Sequence, residues 1–106
     1  MLVVTSETIA NKRIVKTLGI VRGNTVRARH IGKDILAGLR NIVGGEVHEY
    51  AKLVAESREQ SLDRMEKEAA ELGANAVIAT RFTTSVLMGG AAELLAIGTA
   101  VVIEDE

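Results

Sequence analysis

Hydrophobic residues in the first quarter of the chain follow an extended pattern. Residues 2–22 are rich in Val, Ile and Leu between polar clusters, which favours β-structure. From Thr25 to His30 the chain alternates with a period of two, as is typical of a strand with unequal faces. The Gly23-Asn24 pair between these segments is turn-prone. We therefore predict that a strand ends at this pair and that a hairpin connects it to the next strand.

The hydrophobic period changes to a helical one after the second predicted strand. Apolar residues between Lys33 and Val43 lie at helical spacing, namely Ile35, Leu39 and Ile42, with Leu36 and Val43 widening the stripe. Gly44-Gly45 follows directly, and each glycine would cost roughly 1 kcal/mol relative to alanine inside a helix. We predict a short helix over Lys33–Val43 and a break at the glycine pair.

A second helix, over about Glu46–Leu72, is the clearest element in the sequence. Apolar and small residues are predicted to line one face of it: Tyr50, Val54, Ser61, Met65, Ala69 and Leu72. Gly73 follows at the position where a left-handed residue commonly ends a helix.

The last third of the chain again has strand character. We predict strands over Ala76–Val86 and Glu93–Ile103, a loop at Gly89-Gly90, and a solvated acidic tail over residues 104–106. The whole chain, residues 1–106, is then one domain of the α/β class (α+β type). It has two layers, a mostly antiparallel sheet and two consecutive helices.

The final predicted strand is apolar on both faces. One side carries Leu94, Ala96, Gly98, Ala100 and Val102, and the other Leu95, Ile97, Thr99, Val101 and Ile103. One helical layer covers only one face of such a sheet. Burying even 400 Å² of the other face contributes on the order of 10 kcal/mol at about 25 cal/mol per Å², before association costs. A neighbouring subunit is the simplest cover, and the alternative is a second helical layer from the same chain.

Composition narrows the function classes. The 13 basic and 14 acidic residues give a net charge of −1, which provides no global attraction to nucleic acid or anionic membranes. Tyr50 and Phe82 are the only aromatic residues, so base stacking has little support. The absence of cysteine excludes disulfides, thiolate catalysis and cysteine-based metal sites. With no signal peptide or membrane-spanning run in the sequence, we expect a cytoplasmic protein.

Several local strings, spread over nearly the whole chain, resemble the YbjQ family, whose label is heavy-metal binding. They are Gly19–Gly23, Asp34–Gly45, the helix through Tyr50, Leu72–Ile78 and Gly98–Val101. The resemblance implies a two-layer, dodecin-like subunit assembled into a ring-shaped homopentamer. It supplies no established activity. Asn75 stands where the family commonly has Asp, and Ala79 where it commonly has Gly.

A heavy-metal site has His30 and Asp34 as its best local pair of ligands. They lie four residues apart at a predicted strand-to-helix junction, whereas His48, the only other histidine, has Lys52 one turn away. Because well-formed metal sites usually need three or four protein ligands, one subunit offers too few, and a ring would multiply them. The alternative is that both histidines are ordinary surface residues. Any divalent heavy metal would then be bound by the assembly.

Other chemistry has weaker support. The row Glu56, Glu59, Asp63 and Glu66 is typical of a solvated helix face, and no catalytic arrangement is visible. The candidate contacts to nucleic acid are Arg22, Arg27, Arg29, His30 and Lys33. They would form a basic belt only after repetition around a ring. We therefore predict a non-enzymatic, ring-forming protein that binds a metal or small ligand. The alternatives are an enzyme with active sites at subunit boundaries and a scaffold that contacts nucleic acid.

Overall fold

The computed structural model describes residues 1–27, 47–86 and 92–106. These residues form four strands and one helix: β1 (Leu2–Val3), β2 (Lys12–Arg27), α1 (Val47–Glu71), β3 (Ala76–Val86) and β4 (Ala92–Asp105). The predicted helix over Lys33–Val43 and the loop at Gly89-Gly90 lie outside the described residues. The α+β class is confirmed, with one described helix.

The four strands form a single mixed sheet in the order β1-β3-β4-β2. β4 is antiparallel to both of its neighbours, β2 and β3, whereas β1 pairs with β3 in parallel. The predicted bounds of β3 are matched, and those of β4 are matched to within two residues. The mostly antiparallel sheet is therefore confirmed, with one short parallel edge that the sequence pattern did not predict.

The predicted hairpin at Gly23-Asn24 is wrong, because β2 runs without interruption from Lys12 to Arg27. Gly23 faces α1 across a very short gap. A Cβ built on Gly23 would lie 2.2 Å from the carbonyl oxygen of Ser61 and 2.4 Å from the backbone nitrogen of Met65. Glycine at this position therefore marks a close approach of helix to strand and not a turn.

α1 confirms the predicted second helix to within one residue at each end. Gly73 follows it with φ +89°, as predicted. The Gly73 N–H donates to the carbonyl of Ala70, and the Ala74 N–H donates to that of Ala69, both at 3.0 Å. These two bonds form a Schellman motif and satisfy carbonyls that the helix end would otherwise leave open.

The sheet has a hydrophobic cluster on each face. Under α1, the fully buried residues are Val21, Met65, Ala69, Val77, Ala96 and Ala100. On the opposite face, Ala76, Ile78 and Val101 are buried, and Val4 and Ile9 of the N-terminal segment pack on them. The N-terminal segment therefore covers the end of the second face that carries Ala76, Ile78 and Val101, which we call the lower end of the sheet. The strand pattern of β4 did not predict this cover.

The predicted acidic tail is partly wrong, because β4 extends through Glu104 and Asp105. Asp105 pairs with Lys12, and Glu104 accepts a hydrogen bond of 3.0 Å from Arg13 across the β2–β4 ladder. Both carboxylates remain exposed to solvent. These cross-strand ion pairs hold the end of the chain in the sheet instead of releasing it as a tail.

Candidate interaction surface

Among the described residues, nothing packs on the upper part of the sheet on the face away from α1. Directly paired residues of antiparallel strands share a face, so the register places three rows there: Arg22, Ile97 and Arg81; Asn24, Leu95 and Thr83; Val26, Glu93 and Ser85. Ile20 and Thr99 lie at the lower end of this surface. We call these residues the open face.

The open face exposes apolar side chains. Ile20 is 60% exposed and Val26 is 51% exposed, although both belong to a strand inside a folded sheet. Leu95 and Ile97 beside them are half-buried. A strip of aliphatic surface therefore runs along β2 and β4 beyond the region that the N-terminal segment covers.

Two arginines flank this strip at the same level. Arg22 and Arg81 lie on either side of Ile97 in one row. The Arg81 guanidinium donates to the carbonyl oxygens of Thr5, at 2.7 Å, and Thr80, at 2.8 Å. Asn24 donates to Glu93 at 3.0 Å. The open face thus combines an apolar centre with cationic and amide groups at its sides, a composition found at protein interfaces.

A bulge interrupts β3 just below Arg81. The register shifts between Ile78 and Arg81, so that Ala79 and Thr80 together oppose one residue of β4. Ala79 has φ +53°, a left-handed conformation that costs an alanine about 1 kcal/mol or more. Its N–H donates to the carbonyl of Ser6 at 2.9 Å. Both bulge residues therefore bind the N-terminal segment, since the Thr80 N–H also donates to the carbonyl of Val4.

The hydroxyl of Thr80 is buried and has no hydrogen-bond partner among the described residues. We predict that Thr80→Val leaves the free energy of unfolding unchanged or raises it by up to about 1 kcal/mol, because an isosteric methyl removes an unsatisfied polar group. Urea denaturation monitored by circular dichroism measures this.

Thr25→Val is the matched control, since both threonines are 3% exposed. Thr25 Oγ1 lies 3.1 Å from the carbonyl oxygen of Ser57 and 2.9 Å from Ser61 Oγ. Removal of that hydroxyl is expected to cost about 1–3 kcal/mol. An equal loss in both variants would contradict the prediction.

The buried hydroxyls under α1 serve packing. Ser61 Oγ contacts Thr25 and donates to the carbonyl of Leu94 at 3.0 Å, which ties the helix to both β2 and β4. Ser57 and Ser61 are both buried, and their small side chains permit close packing of the helix on the sheet. No described histidine side chain accompanies them.

An electrostatic interaction at the lower end of the sheet shifts the pKa of one carboxyl group. Hydrogen bonding and charge attraction from Lys12 lower the pKa of the Asp105 carboxyl below its usual range. Since the folded-state pKa is lowered, the stabilisation is present above the pKa of the unfolded chain. It is lost as pH falls through the folded-state pKa. The pair joins an exposed carboxylate to a half-buried lysine and lies on the β2–β4 ladder.

The predicted metal ligands are not brought together by the described part of the structure. His30 and Asp34 lie outside it, and His48 belongs to α1 but its side chain is not described. Within residues 1–27, 47–86 and 92–106, no group of three or more His, Asp or Glu side chains could hold a metal ion. The metal site at His30 and Asp34 therefore stays a prediction.

The acidic row of α1 faces solvent. Glu56, Glu59 and Asp63 are exposed and Glu66 is half-buried, consistent with the solvated face that the helical pattern predicted. α1 is also too polar to cross a membrane, and it is the one helix in the described part of the chain. The acidic row of α1 is therefore a solvated helix face.

The chain has an extended shape and a large surface. Its radius of gyration is 17.0 Å and its principal extents are 54 × 27 × 17 Å. A compact domain of this length has a radius of gyration of about 13 Å. The accessible surface is 7002 Å², whereas about 5,700 Å² is usual for a monomer of this mass.

Comparison with known proteins agrees with the resemblance seen in the sequence. The family model described as "Putative heavy-metal-binding" matches residues 1–104, nearly the whole chain. This chain belongs to the YbjQ family. A UPF0145 protein of Dehalococcoides mccartyi is 55% identical over 104 residues, covering 98% of this chain and all of that protein. A UPF0145 protein of Thermococcus kodakarensis is 57% identical over 106 residues, covering 100% and 94% of the two chains.

A solved structure supports the fold of this YbjQ family member. It is a protein of unknown function from Pediococcus pentosaceus, assigned to the DUF74 family, with a TM-score of 0.64. The alignment covers 98% of both chains at 15% identity. The similarity therefore extends over the whole architecture and concerns the fold alone.

The sequence pattern did not predict the bulge at Ala79-Thr80. It also did not predict that the upper part of β3 lies at the margin of the sheet. The signal present was weak: residues 81–86 read Arg-Phe-Thr-Thr-Ser-Val, a strand-forming run with no regular apolar face. Such a run is expected where neither face is fully buried. Only the strand order shows that it also lies at the margin of the sheet.

Proposed function

We propose that the chain is the subunit of a ring-shaped homo-oligomer, a homopentamer as the family resemblance implies. In this proposal it is a non-enzymatic cytoplasmic module that binds a metal or small ligand at sites formed by assembly. The observation that carries the proposal is the exposed aliphatic strip of the open face, which begins at Ile20 and continues to Val26.

The accessible surface of the chain is larger than that of a compact monomer, and the difference is similar to the area that subunit contacts would bury. The chain's 7002 Å² exceeds the expectation for a compact monomer by about 1,300 Å². A standard protein interface removes about 800 Å² from each partner. A ring gives every subunit two such interfaces, so the excess is comparable to what neighbours would bury. Exposed apolar residues at this density also mark interaction sites in soluble proteins.

Assembly supplies ligand groups that one subunit lacks. A ring repeats the Arg22 and Arg81 pair once per subunit, and it repeats His30 and Asp34 in the same way. Imidazole and carboxylate groups from several copies could then complete a coordination set that one chain cannot.

Native mass spectrometry tests the assembly and the ligand together. We expect a single species at a multiple of the 11.3 kDa chain mass, and added bound mass with Zn²⁺, Cu²⁺ or Ni²⁺ that His30→Ala removes. A folded 11.3 kDa species at micromolar concentration would overturn the ring. An assembly that stays metal-free would overturn the metal part of the proposal and leave small ligands to be screened.

Ile20→Lys tests whether the open face is covered in the assembly. We expect it to shift the protein to lower mass, because a lysine cannot stay desolvated in an apolar contact. Leu72→Lys is the control, since Leu72 is similarly apolar and 48% exposed but lies beyond the end of α1. An intact oligomer for Ile20→Lys would contradict the role of the open face.

A further inference from the structure

The upper edge of β3 lacks a strand partner in the described part of the chain. β1 and the residues after it pair with β3 as far as Thr80, whose N–H donates to the carbonyl of Val4 at 3.0 Å. The Arg81 side chain then binds the Thr5 carbonyl and ends this contact. Beyond that point residues 82–86 are exposed, and Val86 reaches 85%.

The backbone groups that face this edge can be identified. Backbone N–H and C=O groups of a strand point to alternate sides from one residue to the next. Since the Thr80 N–H points away from β4, those of Phe82, Thr84 and Val86 do so as well. These groups form a short row of donors and acceptors at the open margin, which is a template for another strand.

The sequence does not protect this edge. Natural edge strands are commonly blunted by proline, by charged side chains or by bulges that turn the edge away. Residues 82–86, Phe-Thr-Thr-Ser-Val, contain no proline and no charge and favour β-structure. The bulge at Ala79-Thr80 lies below the open segment and leaves it extended.

The opposite margin of the same sheet is the outer edge of β2. The carbonyl of Asn24 accepts a hydrogen bond from Arg64, a residue of α1 outside the sheet plane, so the Asn24 backbone faces outward. By alternation, Arg22 and Val26 face outward too. Their N–H groups have no acceptor within the described residues. Within residues 1–27, 47–86 and 92–106, the sheet therefore has two different edges without a strand partner, one at each side.

These two edges lie at the same height. The register places Arg22 and Arg81 in one row across β4, and it places Arg27 and Val86 in another. A rotation about an axis parallel to the strands leaves the position of every residue along the strand direction unchanged. It can therefore bring the β3 edge of one copy beside the β2 edge of the next copy. Because β2 and β3 are both antiparallel to β4, they run in the same direction and would pair in parallel.

We propose that residues 82–86 of β3 pair as a strand with residues 22–26 of β2 in a second copy of this chain, joining the sheets head to tail. The inference rests on the proposed ring and names the contact that closes it. A head-to-tail contact between two different edges gives a closed ring when the rotation between copies closes without a rise along the axis, whereas pairing of β3 with itself would stop at a dimer.

Engineered disulfides test the contact directly. The chain has no cysteine, so introduced thiols have no background. Three double variants combine Thr83→Cys with Arg22→Cys, Asn24→Cys or Val26→Cys, all on the open face. Three partner positions are used because the tilt between strands decides which of them lies opposite Thr83. Thr83 and Asn24 flank Leu95 within one chain. Two strand spacings separate them by about 10 Å, beyond the roughly 7 Å reach of a disulfide.

After oxidation we expect at least one pair to give a ladder of covalent multimers on a non-reducing gel, with each single variant remaining one chain long. A covalent dimer from Thr83→Cys alone would overturn the inference in favour of β3 pairing with itself. If no pair cross-links while native mass spectrometry shows the ring, the strand contact fails and the ring stands. If the unmodified protein is a monomer, both fail.

A proline variant provides a second readout. Thr84→Pro removes an outward N–H and leaves the β3–β4 ladder intact, because proline is tolerated on edge strands. We expect it to reduce the native mass to a single chain, while Thr84→Val, which keeps the N–H, retains the ring. An intact ring for Thr84→Pro would also overturn the strand contact.

Discussion

Gly23→Ala is expected to lower the free energy of unfolding by about 3 kcal/mol or more, because overpacking against backbone cannot be relieved by a rotamer change. The added Cβ would lie 2.2 Å from the Ser61 carbonyl oxygen and 2.4 Å from the Met65 backbone nitrogen. Both atoms belong to α1, so the whole helix would have to move off β2. Urea denaturation measures the loss.

Gly73→Ala is the matched control for this substitution. Gly73 has φ +89° and no atom within 4 Å of an added Cβ, so only the cost of a left-handed alanine applies. That cost is about 1–2 kcal/mol. If Gly23→Ala destabilises the protein no more than Gly73→Ala does, the close approach of α1 to β2 is not what requires glycine at position 23.

Met65→Ala is expected to cost about 2–5 kcal/mol of unfolding free energy, the range for deleting a large buried side chain. Met65 is a fully buried residue of α1 and belongs to the cluster that also contains Val21 and Val77 of the sheet. The loss combines removal of apolar contact with the cavity left between Val21 and Val77.

Met65→Leu is the control, because a volume-conserving exchange typically costs less than about 1.5 kcal/mol. The comparison is made at two protein concentrations, since assembly makes apparent stability depend on concentration. If alanine and leucine at position 65 give the same stability, the side chain does not fill the core in the way the structure shows.

Local pattern predicted α1 well. Its helical period, its glycine C-cap and its length all follow from residues within a few turns of one another, and the observed Val47–Glu71 agrees with the prediction. β3 and β4 were predicted for the same reason. The prediction of a hairpin at Gly23-Asn24 was wrong because turn propensity is a local quantity. The conformation there is decided by the helix that packs on Gly23 from distant sequence.

The interaction surface was predicted only in part. The apolar character of both faces of β4 indicated that one helical layer would not suffice, and Leu95 and Ile97 indeed lie on a face without a helix in the described structure. That Val4 and Ile9 cover the lower end of this face depends on where the N-terminal segment returns to the sheet. Such a contact has no signature in a strand's own pattern.

The sequence by itself determined the class of the domain, its long helix, the end of that helix and the two-faced last strand, because side-chain periodicity and glycine conformation act over a few residues. Strand order, the parallel β1–β3 pair, the bulge at Ala79-Thr80 and the open edge of β3 were decided by the tertiary structure. Backbone pairing carries almost no side-chain signal, so which edges remain open depends on how distant segments meet.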